Sequence, residues 1–281
     1  AGWLAPGDTL GFVPDGRLAL VPFAALVDPA DHRFLIERHA VAVAPNTSMA
    51  TTPRAASPPG RAAAQRVLLV ATPEASGHRL VLPRLPYAEQ EVRAIAGVYP
   101  GATVLVGTDA TRDRITAGAR QSTVVHFAGH ALANEDNPWM SRLILGTPPG
   151  SDEPDQLMAY EVRAADFGRV DLVVLAACRT ADGDVYRSEG PISLARAFLA
   201  AGVPNVVASL ADVDDRATGL LLRTFHEEYS RSNDPVSALR AAQLRMSRSN
   251  DRTSSSPGTW AMFTVLGRAV PDGRGAGEEH P

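Results

Sequence analysis

The single cysteine of this chain, Cys178, closes an apolar run, Asp171-Leu-Val-Val-Leu-Ala-Ala-Cys178. A second apolar run, Val124-Val-His-Phe-Ala-Gly-His130, closes in a histidine 48 positions earlier. If both runs are buried strands, a thiol and an imidazole emerge at one edge of a sheet, the pairing that nucleophilic catalysis needs. A thiolate attacks a carbonyl carbon, and the histidine takes the thiol proton and later gives it to the departing amine. The negative oxygen of the intermediate needs fixed donors. Gly129 has no side chain, so its N–H can approach a substrate closely, and the N–H of Cys178 is the second natural donor. The competing interpretation is a structural thiol, because free cysteine is among the most buried residue types. The polar loop after Cys178, Arg179-Thr-Ala-Asp-Gly-Asp184, favours chemistry. Asp182, Asp184, Glu189 and Gly190 could shape its rim.

His126 and His130 lie four apart, a spacing that on a helix would suit a metal. On a strand it separates them by roughly 13 Å, too far to share one zinc. No second cysteine supports a metal site, and no cofactor is implied. His126 is expected to point into the sheet packing and to orient the site loop.

The elements that must carry these residues alternate. Residues 66–71, 103–106, 122–128, 171–177 and 205–210 are near-continuous apolar runs, as in strands buried on both faces. Between them, 85–97, a segment opening at Thr111, and 191–201 have helical character, and 216–231 and 235–248 form two further helices. Thr111 is a plausible cap, and Gly97 and Gly202 are stop signals. A last strand is expected at 259–266. Strand-then-helix repetition predicts an α/β fold with a mainly parallel central sheet and helices on both faces. Ligands then bind beyond the carboxyl ends of the strands. A small N-terminal β segment, residues 1–50, precedes this core. In it Thr9–Val13 and Arg17–Val21 are expected to form a hairpin around Pro14-Asp-Gly16, and 34–43 to be extended. Residues 51–65 are Pro/Ala-rich and predict a mobile linker, 66–267 the core, and 268–281 a disordered tail.

Bulk properties exclude several functions. The chain has 281 residues, 45% of them hydrophobic, with 27 basic and 31 acidic residues and a net charge of −4. No basic field invites nucleic acid. No apolar stretch approaches the roughly 18 residues of a membrane span, and the N-terminus lacks the pattern of a signal peptide. One cysteine excludes an internal disulfide and fits a reducing, cytoplasmic setting. Neither a Gly-x-Gly-x-x-Gly turn nor a Gly-Lys-Ser/Thr loop is present, which ranks nucleotide binding last. The chain opens on Ala1 rather than methionine, consistent with a processed protein or a piece of a longer one.

Taken in order, blocks spanning nearly the whole chain resemble the CHAT domain family, bacterial relatives of caspases and separases. They are Pro14-Asp-Gly-Arg-Leu-Ala-Leu-Val-Pro-Phe-Ala-Ala-Leu26, Leu85-Pro-Tyr-Ala-Glu-Gln-Glu-Val92, Asp109-Ala-Thr111, His126-Phe-Ala-Gly-His130, Asp171 to Cys178, Ala195 to Leu210, Ala238 to Gln243, and Trp260 to Gly267. The resemblance implies a caspase-like fold and a cysteine endopeptidase with His130 and Cys178 as a dyad. It also implies a protein substrate and a regulatory partner or N-terminal module, since relatives often carry helical repeats ahead of the domain. A non-catalytic interaction module in a defence or signalling complex is the alternative.

The stretch Leu210-Ala-Asp-Val-Asp-Asp215 is similar to a separase "LWDVTD" segment that supplies acid to the pocket for the residue before the scissile bond. By that resemblance Asp212 and Asp215 would hold an arginine, or less readily a lysine. Ala211 stands where the family usually has tryptophan, which removes a flat surface from the groove. The same acidic residues could instead cap the helix that follows.

Overall fold

The computed structural model describes residues 4–5, 7–51, 65–134, 136–176 and 190–268, with only the backbone of 190–193. Its strands are β1 (Thr9–Phe12), β2 (Ala40–Val43), β3 (Val67–Ala71), β4 (Thr103–Val106), β5 (Val124–Ala128), β6 (His130–Leu132), β7 (Arg142–Ile144), β8 (Gln156–Met158), β9 (Leu172–Ala176), β10 (Asn205–Ser209) and β11 (Phe263–Gly267). Eight of them form one sheet in the order β1-β2-β11-β10-β9-β5-β3-β4. Every neighbouring pair is parallel except β10 and β11.

Both faces of the sheet are covered, which is why its central strands read as near-continuous apolar runs. On one face Leu69, Val124, Val174 and Val207 pack with Val92, Leu221, Phe225 and Trp260, carried by or beside the helices Ala88–Ala96, Asp215–Ser232 and Pro235–Ser247. On the other, Val70, Phe127, Val173 and Val206 pack with Ile115, Val162 and Phe198 from Arg112–Ala119, Ala159–Ala164 and Gly190–Ala200. The two-residue period of each strand sorts its side chains between these cores. β6, β7 and β8 make a separate antiparallel sheet, which the sequence did not announce.

Several expectations at the N-terminus are corrected. Arg17–Val21 is not the second arm of a hairpin. Gly16–Leu20 is a 3-10 helix, and the Asp15 carboxylate accepts from the N–H of Gly16 at 2.8 Å, closing the chain onto itself before a reverse turn can form. β1 instead pairs in parallel with β2. Of the extended stretch 34–43 only Ala40–Val43 is strand. Leu35–Arg38 is helical, with the Glu37 carboxylate accepting from Phe34 N and Arg38 paired to Asp28 and Asp31.

The last strand begins only at Phe263, because Pro257–Trp260 turns helical first. Pro148–Asp155 and Ser249–Pro257 are held by local hydrogen bonds. Asp155 N donates to Gly146 O, and Asp251 caps the short helix Arg252–Ser255. Thr111 does not cap its helix through its side chain; the Asp155 carboxylate takes the N–H of Arg112 instead. Most of the 51–65 segment and nearly all of the tail lie outside the described residues. No helix among the described residues is long and apolar enough to cross a membrane.

Candidate active site

In chain order β3 is followed by β4 on one side of it and then by β5 on the other, so the topology switches between β3 and β5. The crevice past the carboxyl ends of strands at such a switch is where open α/β sheets bind ligands. Two residues mark that place. Thr72, directly after β3, donates its N–H to Ala128 O at 2.9 Å and its hydroxyl to Ile144 O at 3.1 Å. It thus ties β3, β5 and β7 together, and with them the two sheets. Gly129 follows at the end of β5. A Cβ there would fall 2.1 Å from Thr72 Oγ1 and 2.7 Å from the Phe127 ring. Crowding inside the junction therefore demands this glycine, a reason different from the close substrate approach read from sequence.

His130 comes next, opening β6 opposite Ile144. It is fully buried, and its Nε2 lies 2.8 Å from Pro83 O. A carbonyl can only accept, so Nε2 carries the hydrogen and the lone pair of the neutral ring sits on Nδ1. Burial pushes the imidazole pKa below its ordinary value, against the opposing pull of the Pro83 hydrogen bond. The geometry thus holds a neutral imidazole with a fixed tautomer, the state required of a base that accepts a thiol proton.

The strand leading to Cys178 runs beside β5. Val124 pairs with Leu172, and each step keeps the same offset up to Ala128 opposite Ala176. That offset of 48 positions is also the spacing between His130 and Cys178. Cys178 itself, with Asp182, Asp184 and Glu189, lies outside the described residues. Ala176, two positions before the cysteine, stands level with Ala128, two positions before the histidine.

The acidic turn 210–215 follows β10, the strand next to β9. Asp214 caps the helix Asp215–Ser232, its Oδ1 accepting from Ala217 N at 2.9 Å. Capping therefore falls to the residue that the separase-like pattern leaves as an extra acid. Asp212 is exposed, and Asp215 is half-buried with its Oδ2 accepting from Tyr87 N at 3.0 Å. Burial, reinforced by the neighbouring Asp214 charge, holds the Asp215 carboxyl above its ordinary range, although the Tyr87 bond pulls the other way. One segment, 73–87, thus contacts both candidate elements, through Pro83 at His130 and Tyr87 at Asp215. Sequence reasoning passed over Thr72 and Pro83, because their contacts are made largely through backbone groups that leave no motif. Among the described residues no group of three or more His, Cys, Asp or Glu side chains could hold a metal ion.

His126 points into the core, as its strand parity implies, but onto partners far away in sequence. Its Nε2 lies 2.8 Å from Glu91 Oε1 and its Nδ1 3.1 Å from His226 Nε2. The Glu91 contact is close without the alignment of a regular hydrogen bond. Burial pushes the His226 pKa well below its ordinary value and that of Glu91 up.

These shifts set a pH dependence of stability. His130 and His226 bind a proton in the unfolded chain near pH 6.5 but resist it when folded. Their contribution is fully present above that pH and is lost as pH falls below it. Glu91, raised in the fold, works in the opposite direction, its contribution being lost as pH rises through its folded value. The raised Asp215 carboxyl acts in the same sense as Glu91. In Glu91→Gln, which removes the buried carboxyl that opposes the imidazoles, the melting temperature should fall between about pH 7.5 and about pH 5.5. Calorimetry that found it unchanged or rising would contradict these assignments.

A mainly parallel eight-stranded sheet, covered by helices on both faces and carrying a buried histidine past the carboxyl end of a central strand, is a caspase-like α/β fold. The CHAT domain profile matches residues 3–268, and the chain belongs to that family. Among curated proteins it is similar to tetratricopeptide repeat protein 28 of Mus musculus, 29% identical, and of Homo sapiens, 28% identical. These matches take in 93% and 92% of the chain but 12% of each relative. The chain therefore spans about an eighth of the length of the curated relatives it matches.

Of solved structures, gingipain R, described as an Arg-specific cysteine proteinase, superposes with a TM-score of 0.54 at 13% identity, over 88% of this chain and 57% of that one. A chain of the Saccharomyces cerevisiae separase–securin complex superposes with a TM-score of 0.53 at 12% identity, over 89% of this chain and 14% of that one. At such identities the likeness concerns the fold.

Proposed function

We propose that this chain is a cysteine endopeptidase in which Cys178 is the nucleophile and His130 the general base and acid. The observation that carries the proposal is the shared offset: the β5–β9 register runs at 48 positions, and so do the two residues. His130 Nδ1 accepts the thiol proton, and the sulfur bonds to the carbonyl carbon of the substrate. The N–H groups of Gly129 and Cys178 receive the resulting oxyanion. Collapse of the intermediate breaks the C–N bond as His130 returns the proton to the amine. Water, deprotonated by His130, then releases the acyl group. Pro83 holds the ring in the tautomer that this sequence requires.

Asp212 and Asp215 form the pocket for the residue before the cut, favouring arginine. Asp215 is partly desolvated, and a guanidinium would supply the counter-charge that burial denies it. A peptide series varied only at that residue tests this. Arginine should be cleaved at least about tenfold faster than leucine, because a charge left unpaired in a half-buried site costs more than a tenfold rate difference. Equal rates for the two would remove the acidic turn from the pocket.

The protein substrate is reached under the control of a partner or an attached module. The repeat-bearing names of the curated relatives support this, since such repeats are extended binding surfaces. A purely interactive role is separated from this reading by the Cys178 variant discussed below.

A further inference from the structure

Four buried polar side chains have no part in the chemistry above. Glu91 is 4% exposed, Tyr99 5%, and His126 and His226 not at all. They form one line of contacts. Glu91 Oε1 meets His126 Nε2 at 2.8 Å, His126 Nδ1 meets His226 Nε2 at 3.1 Å, and His226 Nδ1 meets the Tyr99 hydroxyl at 3.0 Å. The hydroxyl also reaches the His226 carbonyl oxygen at 3.2 Å. Burying four such groups is costly unless each satisfies another, so the line needs a reason.

Its geometry supplies one. Glu91 belongs to the helix Ala88–Ala96, and Tyr99 lies three positions past its end. That helix follows the segment holding Pro83 and Tyr87, whose backbone groups contact His130 and Asp215. His126 belongs to β5, which leads into His130. His226 belongs to the helix that opens at Asp215. The three segments that carry Pro83, His130 and Asp215 are thus joined by one polar line, with a member on each.

Two donor orders satisfy the contacts from His126 to Tyr99. If the Tyr99 O–H donates to the His226 carbonyl, His226 Nδ1–H donates to Tyr99, His126 Nδ1–H donates to His226 Nε2, and the His126 Nε2 lone pair faces Glu91, an order that a neutral, protonated Glu91 complements. If Tyr99 donates to His226 Nδ1, the His226–His126 bond reverses and His126 Nε2–H faces Glu91 Oε1. Leu69 and Val174 flank His126 across the sheet and bring no charge. The other titratable groups acting on the line are Asp215, on Glu91, and Tyr229, on Tyr99.

We propose that Glu91, His126, His226 and Tyr99 act as one positioning unit that holds the Pro83 segment and the Asp215 turn in place against His130. What the unit positions rests on the peptidase reading; that it ties the three segments together does not. Glu91→Leu removes the acidic end of the line at similar size, whereas Glu91→Gln can still donate to His126 Nε2 and keeps the neutral ordering.

The test combines amide hydrogen exchange over residues 84–88 and 211–216 with the alkylation rate of the sole thiol by iodoacetamide. In Glu91→Leu, exchange in both segments should rise about tenfold over that in β3 and β9, and alkylation should slow about tenfold, one buried polar partner being lost. Glu91→Gln should restore both. Wild-type exchange in both segments of a folded Glu91→Leu protein overturns the proposal. Should that variant not fold, Tyr99→Phe takes its place with the same expected pattern and the same contrary result. A His130→Ala control separates the two readings. Alkylation indifferent to His130 would discard the dyad, while the exchange result would still decide the positioning unit.

Discussion

Cys178→Ala should lower kcat/KM for a cleavable peptide by at least about a thousandfold while leaving the melting temperature within a degree or two of the parent. The sulfur forms the bond that splits one hard step into two, and neither Gly129 nor His130 can replace it. His130→Ala should fall nearly as far. The double variant should be no worse than either single one, because residues that act as a unit do not lose activity additively. Peptide hydrolysis by purified proteins reads this directly. If Cys178→Ala retained the parent's activity in the cell as well as in the tube, the chain would be an interaction module and the thiol a structural one.

Gly129→Ala should destabilise the fold by about 3 kcal/mol. The added methyl would sit 2.1 Å from Thr72 Oγ1 and within 2.9 Å of two atoms of the Phe127 ring. Thr72 cannot yield easily, because its N–H and hydroxyl already hold Ala128 O and Ile144 O. Whatever relaxes moves β5 or β7, and His130 stands between them. Activity should therefore fall more than stability alone explains. Thermal melts and single-turnover rates on the folded fraction separate the two effects. A variant with the parent's melting temperature would show that the junction is looser than its distances imply.

Much of this architecture is legible in the chain. The runs at 67–71, 124–128, 172–176 and 205–209 have the near-continuous apolar character of strands in a sheet covered on both faces, and the stop at Gly202, whose φ is +94°, marks a helix end that glycine adopts readily. Other parts were not legible, for physical reasons. Pro14-Asp-Gly16 looks like a hairpin turn, but the Asp15 carboxylate closes on Gly16 N. β6, β7 and β8 have three residues each, too few to display a period.

The site divides in the same way. His130 and its offset from Cys178 stand out in the sequence. Pro83 holds His130 through a backbone oxygen, which leaves no mark on residue type. Glu91, His126 and His226 are mutually 35 to 135 positions apart, and only the folded topology brings them into contact. Asp214 and Asp215 look alike as acidic residues, and only the backbone decides that one caps a helix while the other takes Tyr87 N.

The most direct test of the central claim, that His130 and Cys178 work on the same carbonyl, is the rate at which a peptide ending in an arginine-bearing electrophile labels the protein. Intact-mass analysis should find one adduct, mapped to Cys178, forming at least about a hundredfold faster in the parent than in His130→Ala. Labelling of His130→Ala at the parent's rate would mean that the imidazole and the sulfur do not share a site.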